Sequence, residues 1–154
     1  MKIAIYILIG IIWMVVAGVL WARDHLRAFA MRSLAKKLGL TYAGKSLPGA
    51  ISLYGTPFSR YTSDRITNVM DGQRNGIRVV AFDCEVYEGK ESWSRTVVAT
   101  KSAPNVSSAT SSAPDLKVDH SGGWMILYYP REARAKHGLM PIAELESHLS
   151  AIKQ

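Results

Sequence analysis

Few side chains in this 154-residue chain have the type to do chemistry, and they fall into three groups. The first is Cys84, a nucleophile if a base such as His120 approaches it. A lone thiol on an apolar strand face is more often an inert core residue, its ionisation suppressed by burial. The second is the run Asp119-His120-Ser121, which holds the side-chain types of a hydrolase triad. Neighbours on a strand point to alternating faces and pass no proton among themselves, so the run reads as coincidence.

The third group is cationic. Arg23, Arg27, Arg32, Lys36 and Lys37 follow an apolar stretch with only Asp24 against them, a candidate collar for anionic lipid headgroups. Arg131, Arg134 and Lys136, with His137, form a second cluster that could meet lipid phosphate, although charge runs more often serve solubility. His25, His120, His137 and His148 lack paired-ligand spacing, and a single cysteine excludes the usual structural zinc sets. Gly122-Gly123 and Asp71-Gly72 read as turns, since neither sits in a phosphate-cradling motif. No metal and no cofactor are indicated.

What must position these residues begins with Ile3 to Trp21, which contains no ionisable group. As a helix it covers roughly 28 Å, the thickness of a bilayer's hydrocarbon core. A cleaved signal peptide is the rival reading, but the run exceeds an ordinary h-region and "AGVLWAR" offers no clean A-x-A site. Residues 1–22 are therefore expected to be a retained transmembrane helix, with Trp21 at headgroup level. The basic excess after Trp21 places the following chain in the cytoplasm and the N-terminus outside. Gly10 and Ala17, seven apart, leave room for homo-oligomer contact through the span.

The formal net charge of +7 is concentrated at this junction. Residues 38–154 hold thirteen Lys and Arg against eleven Asp and Glu, so no nucleic-acid-binding excess remains on the domain.

Residues 23–39 continue as a basic juxtamembrane helix with Leu26, Phe29, Ala30, Ser33, Leu34 and Leu38 on one broad face, stopped by Gly39. That face suits packing on the following domain better than lying on the membrane. Residues 40–154 suffice for one domain. A strand from about Arg65 to Met70 precedes a turn at Asn75-Gly76. In the next strand Val80, Phe82, Cys84 and Val86 share a face and Arg78, Asp83, Glu85 and Glu88 occupy polar positions. "SWSRTVVATK" completes a meander. Residues 102–114 form a Ser/Ala/Pro-rich loop, in which the sequon at Asn105 stays unused in the cytoplasm. "LKVDH" and "WMILYYP" form a second hairpin with apolar side chains on both faces of the latter strand, so that strand is central or covered. Pro141 opens a helix striped with Ile142, Leu145, Leu149 and Ile152. The fold expected is α+β, an antiparallel sheet of about six strands covered by the C-terminal helix.

The residues Arg65 to Gly72, Gly76, Val79, Val80, Phe82, Asp83 and Arg95 to Ala99 resemble the central hairpin of a group of small uncharacterised bacterial membrane proteins. The likeness covers roughly residues 60–100 and implies one N-terminal transmembrane helix followed by a cytoplasmic β-rich domain. It supplies no catalytic residue. By topology alone, strands followed by a helix are also similar to bacterial pleckstrin-homology-like domains.

The function expected is a non-enzymatic interaction or scaffold module at the bacterial inner membrane, with a protein partner or anionic lipid as ligand. A membrane-proximal enzyme using Cys84 or His120 is the alternative.

Overall fold

The computed structural model describes residues 2–59, 65–88, 91–101, 116–130 and 138–152. Helix α1 runs Lys2–Leu38, followed by strands β1 (Thr41–Gly44), β2 (Ile66–Arg74), β3 (Ile77–Glu88), β4 (Glu91–Lys101), β5 (Lys117–Ser121) and β6 (Trp124–Tyr128), and helix α2 (Ile142–Ala151). The chain divides into two compact units, residues 1–30 and 31–154.

The first unit is α1 up to Ala30. Nothing in its composition interrupts the helix, and its large apolar side chains from Ile5 to Trp21 are exposed.

In the second unit all six strands join one antiparallel sheet in the order β1-β2-β3-β4-β6-β5. The meander β2-β3-β4 follows the expectation from sequence. Asn75 (φ 50°) and Gly76 (φ 79°) supply the two positive φ angles of its first tight turn. Strand β2 is longer than expected, so Asp71 and Gly72 pair within the sheet, opposite Val80 and Val79, and are not a turn. The short edge strand β1 is an element the sequence pattern does not reveal.

Alternation assigns the two sheet faces. Val79, Ala81, Val98, Met125 and Leu127 face one core, Val80, Phe82, Cys84, Val97, Ala99, Trp124, Ile126 and Tyr128 the other. Helices cover the first face. Leu145, Leu149 and Ile152 of the α2 stripe are buried there, and Ile142 packs at its margin. They are joined by Met31, Leu34, Ala35 and Leu38, which recur at helical spacing on the last turns of α1. This corrects the face expected for the juxtamembrane helix: Leu34 and Leu38 are on the buried side, Ser33, Leu26 and Phe29 are exposed, and Met31 and Ala35 take their place. Leu40 N–H donates to the Ala35 carbonyl at 2.8 Å and Gly39 N–H to Lys36 at 3.4 Å, closing the helix as Gly39 implies.

The second face is covered without regular structure. Phe58 is buried against it, with Leu47, Ile51 and Leu53 partly buried alongside. Trp124 Nε1–H donates to the Ala50 carbonyl at 3.0 Å, and Ser121 Oγ–H donates to Tyr54 O at 2.6 Å. These bonds satisfy polar atoms at the edge of an otherwise apolar layer. Strand β6 is accordingly buried along its whole length, as its apolar residues on both faces require.

Candidate functional site

The sheet register separates Cys84 from His120. Cys84 lies on β3 opposite Arg95 of β4, and His120 lies on edge strand β5 opposite Met125. Three strand spacings, about 14 Å, divide β3 from β5. The faces differ as well: Cys84 belongs to the core beneath the 47–58 segment, while the His120 position follows Met125 onto the helix-covered side. The thiol and the imidazole therefore cannot form a nucleophile–base pair.

Cys84 is 1% exposed among Val86, Phe82 and Ile66, and its thiol donates weakly to the Glu85 carbonyl at 3.8 Å. Burial pushes its pKa up to about 12, outweighing the opposing influence of Arg65. A thiol so held is protonated at neutral pH and is no nucleophile.

The three residues of the Asp119-His120-Ser121 run have separate tasks. Asp119 accepts a 2.6 Å hydrogen bond from Tyr128 Oη, Ser121 binds the covering segment, and His120 is exposed. Asp119 and Ser121 share a face from which His120 is excluded, as strand alternation demands.

The polar group the sequence reading missed is centred on Asp83. Alternation alone puts this residue at an ordinary polar position, yet it is 3% exposed because its face of β3 lies under the helices. Its Oδ1 accepts from Thr96 Oγ1–H at 2.7 Å and its Oδ2 from Asn68 Nδ2–H at 2.9 Å. Asn68 Oδ1 in turn accepts from Tyr42 Oη–H at 2.9 Å, and Thr96 Oγ1 accepts the Met140 backbone N–H at 2.9 Å. Asn68 reaches both partners because β2 bulges between Thr67 and Met70 and the residue adopts φ 55°, a region asparagine tolerates. The network ties β1, β2, β3, β4 and the approach to α2 together. Within the described residues every one of these bonds joins one segment of the domain to another, a structural tie. The one available hint in the sequence was Asn68, an amide amid β-forming residues. Among the described residues no cluster of three or more His, Cys, Asp or Glu could hold a metal ion.

A small cavity on the helix-covered face is lined by Val98, Thr100, Leu116, Leu127, Met140, His148 and Ile152. It has room for about one water-sized sphere, which excludes an organic ligand.

The remaining candidates are cationic. Arg23, Arg32, Lys36 and Lys37 are exposed and Arg27 is half-buried. Arg32 lies over the Tyr42 ring at 5.0 Å and Lys37 pairs with Glu146 at 2.5 Å, so part of the collar contributes to the fold of residues 31–154. Arg131, Arg134 and Lys136, and the 102–114 loop, lie outside the described residues.

Helix α1 is long and apolar enough to cross a membrane, and its most apolar window is not buried by any part of the described chain. That exposure separates it from the core helix of a soluble domain and is compatible with a single-pass membrane protein. No family model, curated protein or solved structure matches the chain.

Proposed function

We propose that the chain is a single-pass, membrane-anchored interaction or scaffold module without catalytic chemistry, with its N-terminus outside and residues 31–154 in the cytoplasm against a bacterial inner membrane. Its ligand is a protein partner or anionic lipid. One observation carries this reading: from Ile5 to Trp21 every large apolar side chain is exposed, and the basic residues begin immediately afterwards. An apolar surface of this length needs hydrocarbon as its solvent, and the Arg and Lys that follow resist translocation. The separation of Cys84 from His120 and the inertness of the thiol support a non-enzymatic role. The protein is expected to resist extraction by alkaline carbonate and to yield to detergent. A fluorescent-protein fusion at Gln154 should be active, while an alkaline phosphatase fusion at the same position should be silent. Extraction by carbonate, or the reverse pattern of reporters, would overturn the assignment.

A further inference from the structure

Beyond Trp21 the helix does not become polar all round. At about 100° per residue, Trp21, Ala22, His25, Leu26 and Phe29 occupy one side of α1, and Arg23, Asp24 and Arg27 the other. The first side is uncovered: Trp21 is 67% exposed, Leu26 68% and Phe29 72%. The Trp21 and His25 rings lie 4.0 Å apart at an interplanar angle of 60°, forming a ledge with an apolar body and polar ring nitrogens. This side continues the exposed apolar surface of Ile5 to Leu20 without a break, through Gly18, Val19 and Ala22.

We infer that α1 remains in contact with the bilayer through Phe29, with Leu26 and Phe29 at the acyl boundary of an anionic leaflet and Arg23 reaching its phosphates from the opposite side. The inference rests on the membrane reading above and adds to it a specific lipid-contacting surface. Three features select lipid as the occupant. The surface is continuous with the span. Its charges are segregated, as in helices that lie in an interface with basic residues on the polar side. Trp21 carries a ring that favours headgroup depth, and Arg can extend along apolar surface to a phosphate while its stem stays buried. The membrane boundary therefore lies about 9 Å further along this side, at Phe29, than the first basic residue, Arg23, suggests.

Nitroxide labelling of the full chain in vesicles of phosphatidylethanolamine and phosphatidylglycerol tests this, with cysteines introduced singly by Met14→Cys, Arg23→Cys, Asp24→Cys, Leu26→Cys and Phe29→Cys. The unsubstituted chain gives the background from buried Cys84. Labels at 26 and 29 are expected to meet a water-soluble nickel chelate about tenfold less than those at 23 and 24, a partition difference of about 1.4 kcal/mol, while remaining open to oxygen. Equal chelate access at all four positions, with the label at 14 protected, overturns this inference and leaves the span standing. Protection of 26 and 29 from both oxygen and chelate indicates a protein covering and also overturns it. Chelate access at 14 removes the membrane reading itself.

Discussion

Asn75 and Ile152 meet across the domain: the Asn75 amide, at the tip of the β2–β3 hairpin, donates to the Ile152 carbonyl at 2.7 Å, capping the C-terminal end of α2. One residue earlier, Arg74 Nη1–H donates to the Leu38 carbonyl at 3.3 Å, where α1 ends. A single tight turn thus satisfies carbonyls that both helices leave without intrahelical partners. The hairpin does more than reverse the chain; it fixes where two helices lie on the sheet.

Substitution at this turn separates backbone from cap. Asn75→Gly keeps the positive φ and loses only the amide bond, an expected cost of about 1 kcal/mol. Asn75→Ala loses the bond and also puts at φ 50° a residue that, unlike asparagine, has no polar side chain to ease the left-handed conformation, adding about 1 kcal/mol. Urea titration of the detergent-solubilised chain should rank wild type above Gly and Gly above Ala. Equal stability of all three would remove the capping role.

Cys84 gives a prediction in two parts. With its pKa near 12, the native thiol should react with iodoacetamide at neutral pH far more slowly than the unfolded chain does. The second part concerns stability. Below the ordinary thiol value of 9.0 both states are protonated, and pH has no effect through this group. Between 9 and about 12 the unfolded thiol ionises while the native one keeps its proton, so the unfolded state binds fewer protons and stability falls as pH rises. The slope reaches at most about 1.4 kcal/mol per pH unit. Cys84→Ala should flatten the part of the alkaline limb due to this residue. Rapid alkylation of the folded protein would contradict the buried placement.

Much of this architecture was legible because it depends on alternation. Val80, Phe82, Cys84 and Val86 could enter one core only in a strand, and Trp124 to Tyr129, apolar at every position, needed cover on both faces. The cover itself was not legible. Residues 47–58 have neither helical nor strand period, and Leu47, Ile51, Leu53 and Phe58 are drawn in by tertiary contacts alone. The Asp83 network was hidden for a related reason. A carboxylate on an alternating strand normally marks the solvent side, but here that side is roofed by the end of α1 and by α2, whose positions depend on distant turns.

The Asp83 network should be sensitive to its least expected member. Asn68→Ala removes the donor to Asp83 Oδ2 and the acceptor for Tyr42 Oη–H together, and leaves alanine at φ 55°. Loss of a donor to a buried carboxylate costs about 1–3 kcal/mol, and the backbone adds about 1 kcal/mol. Asn68→Gly recovers only the backbone part. Thr96→Val, which removes both the 2.7 Å bond to Asp83 and the acceptor for Met140 N–H, should cost a comparable amount. If denaturation midpoints of these variants match the wild type, the network does not hold the sheet.

Gly138 lies beside β4, with φ 65° and its carbonyl accepting the Thr96 N–H at 3.2 Å. A Cβ there would overlap the Ser94 carbonyl oxygen and the Arg95 guanidinium. Backbone cannot yield as a flexible side chain does, so Gly138→Ala is expected to break the contact with β4 rather than adjust within it. The loss should exceed the roughly 1 kcal/mol typical of alanine in a left-handed conformation. Gly49→Ala, whose added Cβ meets nothing within 4 Å, is the matched control and should melt with the wild type.

The collar prediction concerns direction across the membrane. Arg23, Arg27, Arg32, Lys36 and Lys37 outweigh Lys2, and under the proposed topology it is this imbalance, counted in Lys and Arg near the span, that sets orientation. Replacing all five by Gln reverses the imbalance without shortening the apolar run. The cost to residues 31–154 should be small, because Lys37 and Glu146 form a surface pair worth at most about 1 kcal/mol and Arg32 over Tyr42 adds a similar amount. The variant should therefore still insert, but with a substantial fraction of molecules inverted, so that alkaline phosphatase fused at Gln154 becomes active. Replacing Lys2 by Gln should leave orientation unchanged and, combined with the five substitutions, should return part of the population to the original topology. If the five-residue variant keeps the wild-type reporter pattern, orientation is set by the folding of the C-terminal domain before insertion, and the basic residues act on lipid alone.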